Sequence, residues 1–152
     1  MKRMLLIFAP ILLLASLGIW ALPGLLSAPP YEPVDNDGLE RLVQQGVTVV
    51  DIRRPEEWRQ TGVVAGSYLI TAFDEQGRIT PEFPALFGEL TDPAQPVVLI
   101  CRTGNRTDIL ARMLVEQAGY QQVYNVSRGI TSWISGGREV TPCPARGPSL
   151  QC

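Results

Sequence analysis

The sequence predicts an α/β fold, an open parallel sheet flanked by helices, in one domain that follows an N-terminal hydrophobic segment. Two observations support this fold class. Short apolar or β-branched runs alternate along the chain with segments whose apolar residues recur at helical spacing. The 152 residues show no internal repeat and no sign of a second domain, and they are enough for one hydrophobic core.

The N-terminal segment differs in character from the rest of the chain. Lys2 and Arg3 precede a run from Met4 to Ala28 that contains no charged residue. This layout is typical of a secretory signal peptide or an N-terminal membrane anchor, and its positive end favours a cytoplasmic N-terminus. Residues 1–28 are therefore predicted to be one or the other, and an anchor would attach the domain to the membrane through residues 4–28. The domain is expected to be periplasmic or otherwise extracytoplasmic, and three prolines in residues 29–36 indicate a linker.

The predicted elements then follow in order through a domain over residues 37–141. Apolar spacing and β-branched runs give helix 37–45, strand 47–53, helix 55–61, strand 67–70, helix 81–90, strand 96–101, helix 107–117, strand 123–126 and helix 129–137. Gly46, Gly62 and Gly119 stand where three of the helices are expected to end. Residues 142–152 are predicted to be a C-terminal tail.

Histidine is absent from the sequence, and Lys2 is the only lysine. Without an imidazole there is no Ser-His or Cys-His dyad and no histidine ligand for zinc. Any nucleophile must be activated in another way. No basic stripe follows the N-terminal segment, so nucleic-acid binding is not expected. No metal and no cofactor are implied.

The three cysteines fit export to an oxidising compartment. Cys143 and Cys152 bracket a tail rich in proline and glycine, and they are predicted to be able to form a disulfide. Two unpaired thiols on a disordered end are the alternative, because sequence does not determine their geometry. In either case Cys101 is left as the odd thiol.

Cys101 ends the apolar run "VVLIC", just before a predicted helix. Ligands of parallel α/β sheets bind beyond the carboxyl ends of the strands. The short turn that follows brings backbone N–H groups together at the positive end of the helix, a cradle that binds an anion and stabilises a thiolate. Arg102 and Arg106 add positive charge, and Gly104 suits a sharp turn. This arrangement supplies the activation that a missing histidine cannot give.

The sequence resembles the rhodanese family of sulfurtransferases over residues 37–140. The resemblance is carried by four segments: "VVDIRRPEEW", "TGVVAGSYLI", "CRTGNR" and "VSRGITSWISGG". It implies a thiosulfate sulfurtransferase-like enzyme in which Cys101 takes a sulfane sulfur from a small anionic donor and carries it as a persulfide to a thiol or cyanide acceptor. It also implies that the loop around the sulfur is formed by Arg102, Thr103, Gly104, Asn105, Arg106 and Thr107.

Two details qualify the resemblance. Related folds include phosphatases and arsenate reductases, whose loop is one residue longer than the stretch from Cys101 to Arg106, so the shorter cradle suits one sulfur atom better than a tetrahedral phosphate. Many family members also have a histidine in the segment after the second helix, where this chain has Val63.

Charged and aromatic residues near the first predicted strand have less specific interpretations. Asp51 and Arg53 lie at the strand end, where the carboxylate can hold a neighbouring loop and the arginine can pair with it or face the pocket. A purely fold-stabilising role for both is the alternative. Trp58 and Trp133 are expected in the core. The charged residues Glu56, Glu57, Arg59 and Glu116 are expected to be solvated helix charges.

Three functional hypotheses depend on Cys101. The leading one is the sulfurtransferase, and the alternative is a sulfur-relay or binding module without turnover on small donors. The third is a redox module, in which Cys143 or Cys152 attacks the Cys101 persulfide. The natural donor, the acceptor and the oligomeric state are left open by the sequence.

Overall fold

A computed structural model describes residues 28–143, and it contains five strands and five helices. The strands are β1 (Glu32–Val34), β2 (Thr48–Asp51), β3 (Tyr68–Leu69), β4 (Val97–Ile100) and β5 (Val123–Val126). The helices are α1 (Asn36–Gln44), α2 (Pro55–Thr61), α3 (Phe83–Leu90), α4 (Asn105–Ala118) and α5 (Gly129–Ser135). The predicted α/β class is confirmed.

The five strands form one parallel sheet in the order β1-β5-β4-β2-β3. Strand β4 is central, with Asp51 of β2 in register with Ile100 and Asn125 of β5 in register with Leu99. Because all strands run in one direction, their carboxyl ends meet at one edge of the sheet. The residue that follows β4, Cys101, therefore lies in the middle of that edge.

Strand β4 is apolar throughout because both faces of the sheet are covered. Val97 and Leu99 belong to one core cluster together with Cys101. Val98 and Ile100 belong to the cluster on the opposite face. All four β4 residues are at most 1% exposed, so the strand holds Cys101 rigidly in place.

Several boundaries differ by one or two residues from those expected from sequence, and two differences lie at the sheet edge and beside Cys101. The predicted linker over residues 29–36 contains strand β1, which pairs with β5 at the sheet edge, a position where Pro33 can be accommodated. Helix α4 begins at Asn105, two residues before the predicted start, because Gly104 completes the turn immediately ahead of it. The expected burial of Trp58 and Trp133 is confirmed, at 8% and 7% exposed.

Residues 1–27 and 144–152 lie outside the described part of the chain. The signal peptide or anchor, and the bridge from Cys143 to Cys152, therefore stay predictions. Within residues 28–143, no helix combines the length and the apolar character needed to span a membrane.

Candidate active site

Cys101 directly follows the central strand, at the point where the chain turns toward α4. It is a free thiol and is 1% exposed. The turn from Cys101 to Gly104 is short, and α4 begins at the next residue. The sulfur is thus fixed between a buried strand and the positive end of a 14-residue helix.

Two groups of the turn and helix contact the sulfur. The backbone N–H of Gly104 donates a hydrogen bond to Cys101 Sγ at 3.2 Å. The hydroxyl of Thr107 lies 3.4 Å from the same sulfur. The first hydrogen bond of α4 runs from Asp108 N to Gly104 O, so the N–H groups of residues 105–107 precede the helical ladder and have no partner within it. This is the geometry of a cradle that can stabilise a thiolate or a bound anion.

The carbonyl groups of the turn are held on its opposite side by the start of α5. Ile130 N donates to Cys101 O at 2.8 Å. The backbone N–H and the hydroxyl of Thr131 both donate to Arg102 O, at 3.2 Å and 2.8 Å. Because these carbonyls are occupied away from the sulfur, the turn cannot easily rotate to present oxygens to an anion.

Gly104 is required in this turn for two reasons. Its φ is +90°, in the left-handed region that L side chains rarely adopt. A Cβ placed on it would lie 2.1 Å from Ser127 O, in the loop between β5 and α5. Backbone packs directly against backbone here, so no larger residue fits without moving the loop.

Arg106 forms a two-pronged ion pair with Glu57 of α2. Its Nη1 donates to Glu57 Oε2 at 2.8 Å, and its Nη2 donates to Oε1 at 2.6 Å. The side chains are 28% and 11% exposed, respectively. Oε2 also accepts the backbone N–H of Arg54 at 3.1 Å. The pair ties the start of α2 to the start of α4.

The expectation that Glu57 is a solvated helix charge is therefore wrong. Burial raises the pKa of Glu57, but hydrogen bonds from Arg106 and the Arg54 backbone outweigh it and hold the pKa below its ordinary value. Burial lowers the pKa of Arg106, but its bond to Glu57 outweighs this and raises it. Both groups are charged at neutral pH, and much of the Arg106 charge is already balanced within the protein.

Asp51 and Arg53 form a second ion pair behind the site, and both side chains are fully buried. Arg53 Nη2 donates to Asp51 Oδ2 at 2.7 Å and to Gly62 O at 2.8 Å. Arg53 Nη1 donates to Thr61 Oγ1 at 2.7 Å. Arg53 therefore pairs with Asp51 and fastens the end of α2 to β2, rather than lying along the pocket.

An open cavity of about 460 Å³ lies over the outer side of the loop. It is lined by Arg54, Glu57, Phe73, Asp74, Glu75, Gly77, Arg102, Thr103, Asn105, Arg106 and Ile109. Arg102 is exposed and forms no ion pair among the described residues. Ile109 is 53% exposed, unusual for a large apolar residue. The cavity can take a small molecule or the tip of a larger one.

The structure brings most of the predicted loop residues together, but not all onto one surface. Four of them line the cavity: Arg102, Thr103, Asn105 and Arg106. Gly104 and Thr107 lie beneath them, against the sulfur. Cys143 is elsewhere, packed against a small cluster of Trp58, Val63 and Leu69. Val63, at the position where many relatives have histidine, is 0% exposed and pairs with Thr141.

Sequence reasoning does not place Glu57 or Asn125 in the site. No local signal in the sequence marks Glu57, because its role follows from the strand order: β2 and β4 are neighbours, so the helix after β2 starts beside the loop after β4. Asn125 is a polar residue inside the predicted strand "VYNV", and it is 4% exposed. A polar residue with such burial usually has a hydrogen-bond partner, and here the partner is Thr107 at 2.6 Å.

Comparison with known proteins gives a consistent set of relatives. The family model of the rhodanese-like domain matches residues 35–135 of this chain. The chain is 29% identical to thiosulfate sulfurtransferase 18 of Arabidopsis thaliana over 66% of this chain and 76% of that protein. It is 28% identical to thiosulfate sulfurtransferase GlpE of Pseudoalteromonas translucida over 62% of this chain and 80% of that protein. The crystal structure of reduced CoADR-RHD from Bacillus anthracis superposes with a TM-score of 0.59 at 27% identity, over 74% of this chain and 18% of that longer one.

Proposed function

Because the chain belongs to the rhodanese-like domain family, we propose that it is a sulfurtransferase that moves a sulfane sulfur through a persulfide on Cys101. The observation that carries the proposal is the position of the Cys101 sulfur. It is a free thiol at the end of the central strand, and it accepts the Gly104 N–H at the start of α4. A nucleophile held this way is activated without histidine, which the sequence lacks.

The proposed reaction has two steps. The thiolate of Cys101 attacks the outer sulfur of thiosulfate, the sulfur–sulfur bond of the donor breaks, and sulfite leaves with the bonding electron pair. A thiophilic acceptor, cyanide or a thiol, then attacks the outer sulfur of the persulfide. With cyanide the product is thiocyanate, and the Cys101 thiolate is regenerated.

The loop's features support a small anionic donor. The N–H groups of residues 105–107 start α4 and are free of helical partners, which favours negative charge at this point. Arg102 adds an exposed positive charge on the cavity wall. Arg106 is engaged by Glu57, so its part in donor binding is secondary to holding the loop.

The rival proposal is a relay or binding module that accepts sulfur from a protein partner and turns over poorly on small donors. It uses the same Cys101. The cavity over the loop is open and carries the exposed Ile109, a feature that suits a protein partner as well as a small acceptor.

We also propose that the domain is exported, on the strength of Lys2, Arg3 and the uncharged run that follows them. The full chain should fractionate with the membrane or the periplasm. A chain that begins at residue 29 should stay in the cytosol when expressed the same way. Cytosolic location of the full chain would contradict the proposal.

The experiment that tests the function is steady-state transfer from thiosulfate to cyanide by the full chain, with thiocyanate and sulfite both measured. We expect equal amounts of the two products and no activity in Cys101→Ser, because a hydroxyl cannot carry a sulfane sulfur. Activity retained in Cys101→Ser would contradict the mechanism. No turnover in the wild type, with sulfur still loaded on Cys101, would favour the relay module.

A further inference from the structure

The buried hydroxyl of Thr107 has three acceptors within reach. Asn125 Oδ1 lies at 2.6 Å, Gly104 O at 2.9 Å and Cys101 Sγ at 3.4 Å. Thr107 is 0% exposed and Asn125 is 4% exposed, so water does not compete for these groups. A hydroxyl has one proton to donate, so these acceptors compete for it.

The orientation of the Asn125 amide is defined by its other hydrogen bond. Its Nδ2 donates toward Gly104 O at 3.4 Å. With the amide nitrogen directed at Gly104 O, Oδ1 is the atom that faces Thr107.

The short hydrogen bond from Thr107 to Asn125 determines whether the Thr107 hydroxyl can donate a hydrogen bond to the sulfur or only accept one. While the hydroxyl proton points at Asn125 Oδ1, a lone pair of Thr107 Oγ1 is left to accept the S–H of Cys101. When Cys101 loses its proton, the hydroxyl can stabilise the thiolate only by turning from Asn125 to the sulfur. Asn125 and the Cys101 thiolate therefore compete for one proton.

We propose that Asn125 is a positioning residue for Cys101, acting through the hydroxyl of Thr107, and that this pair controls how readily the thiol gives up its proton. The side-chain hydrogen bonds of Asn125 go to Thr107 and Gly104 and not to the sulfur, and Asn125 does not line the cavity over the loop. An effect of Asn125 on catalysis rests on the proposed function. An effect of Asn125 on the protonation of Cys101 does not.

Other charged groups also face Cys101, and the test leaves them unchanged. Arg106 of α4 interacts electrostatically with Cys101, Glu57 and Asp51. Arg53 is paired with Asp51 at the end of β2. Arg102 follows Cys101 in the loop.

The experiment follows alkylation of Cys101 by iodoacetamide in the full chain as a function of pH, with no sulfur donor present. Peptide mass spectrometry measures the alkylation of Cys101 separately from that of Cys143 and Cys152. Thr107→Val, which removes the hydroxyl, should move the alkylation midpoint up by about one pH unit, the size of one lost hydrogen bond to a charged group. Thr107→Ser, which keeps the hydroxyl, should stay near wild type.

Asn125→Leu and the smaller Asn125→Ala should move the midpoint the opposite way, downward, because the hydroxyl no longer has its strongest competitor. In the Thr107→Val background the same Asn125 substitutions should have no further effect. Tyr124→Phe, on the same strand but packed against the other core cluster, is the matched control and should leave the midpoint unchanged.

Several results would overturn the inference. An upward midpoint shift in an Asn125 variant would contradict competition for the proton. A shift that persists in the Thr107→Val background would show that Asn125 acts by another route. Equal midpoints for Thr107→Val and Thr107→Ser would refute the role of the hydroxyl, even if the Asn125 variants fail to fold. Failure of thiosulfate turnover in the wild type would count against the proposed function and leave these readouts intact.

Discussion

Arg106 and Glu57 join two separate parts of the site through two hydrogen bonds of 2.8 Å and 2.6 Å. Glu57 lies on the helix after β2, and Arg106 lies in the first turn of the helix after β4. Because the two strands are neighbours, their following helices start side by side, and the pair fixes one start against the other. The arginine that the sequence suggested as a donor-binding charge therefore also acts as a structural clamp on the loop.

Replacing the Glu57 carboxylate should lower the stability of the folded protein. Glu57→Gln is expected to lower the free energy of unfolding by on the order of 1–2 kcal/mol, between the values for exposed and buried ion pairs. Urea denaturation measures this directly. Glu56→Gln is the matched control, because Glu56 is the preceding residue and its side chain is 53% exposed. Equal losses in the two variants would contradict a special role for Glu57.

The two loop arginines should differ in kinetic effect. Arg102→Ala should raise KM for thiosulfate about 5-fold, as expected for one exposed charge, with little change in kcat or stability. Arg106→Ala should lower both stability and kcat, and Arg106→Lys should recover only part of the loss, because an ammonium lacks the planar fork that binds both carboxylate oxygens. High salt should shrink the Arg102 effect more than the Arg106 effect. Identical kinetic profiles for the two alanine variants would refute this division.

The ion pair between Glu57 and Arg106 also predicts that the folded protein loses stability in acid. The pKa of Glu57 is lower in the folded protein than its unfolded value of about 4.3, so the carboxylate stabilises the fold above that pH. This stability is lost as the pH falls through the folded pKa. The difference in melting temperature between wild type and Glu57→Gln should therefore be largest near neutrality and shrink below about pH 4. A difference that grows in acid would contradict the assigned direction.

Gly104 should be far less tolerant of substitution than another glycine with similar backbone geometry. Gly104→Ala adds a Cβ only 2.1 Å from Ser127 O, on top of the strain of φ at +90°. Gly46 has φ at +76° with nothing within 4 Å of its Cβ position, so Gly46→Ala carries the strain without the clash. We expect Gly104→Ala to lose sulfur transfer and Gly46→Ala to keep it, at a cost of about 1 kcal/mol in stability. Near-wild-type transfer in Gly104→Ala would show that the loop does not require this close approach.

Sequence reasoning located the sheet and the sulfur-bearing turn because their signals are local. A buried run such as "VVLIC" followed by glycine and a helical pattern identifies a strand, a turn and a helix without knowledge of the rest of the fold. The strand β1 was missed for the opposite reason. Its three residues contain a proline and carry no strand pattern, and they form a strand because β5 offers an open edge.

The parts of the site that sequence reasoning missed depend on contacts across the fold. Glu57 and Arg106 are 49 residues apart, and Thr107 and Asn125 are 18 apart. On its own helix, Glu57 looks like any exposed first-turn acid. It becomes part of the site because the strand order places α2 beside α4. The partners of Asn125 likewise depend on the register that sets it opposite Leu99, next to the turn that follows Cys101.

The intact mass of the full chain after exposure to thiosulfate, followed by peptide mapping, tests the proposed Cys101 persulfide most directly. We expect the wild type to gain one sulfur atom on the peptide that contains Cys101. Addition of cyanide should remove that sulfur, and Cys101→Ser should never acquire it. A wild-type protein that gains no sulfur, or one that gains it at Cys143 or Cys152 and not at Cys101, would contradict the account.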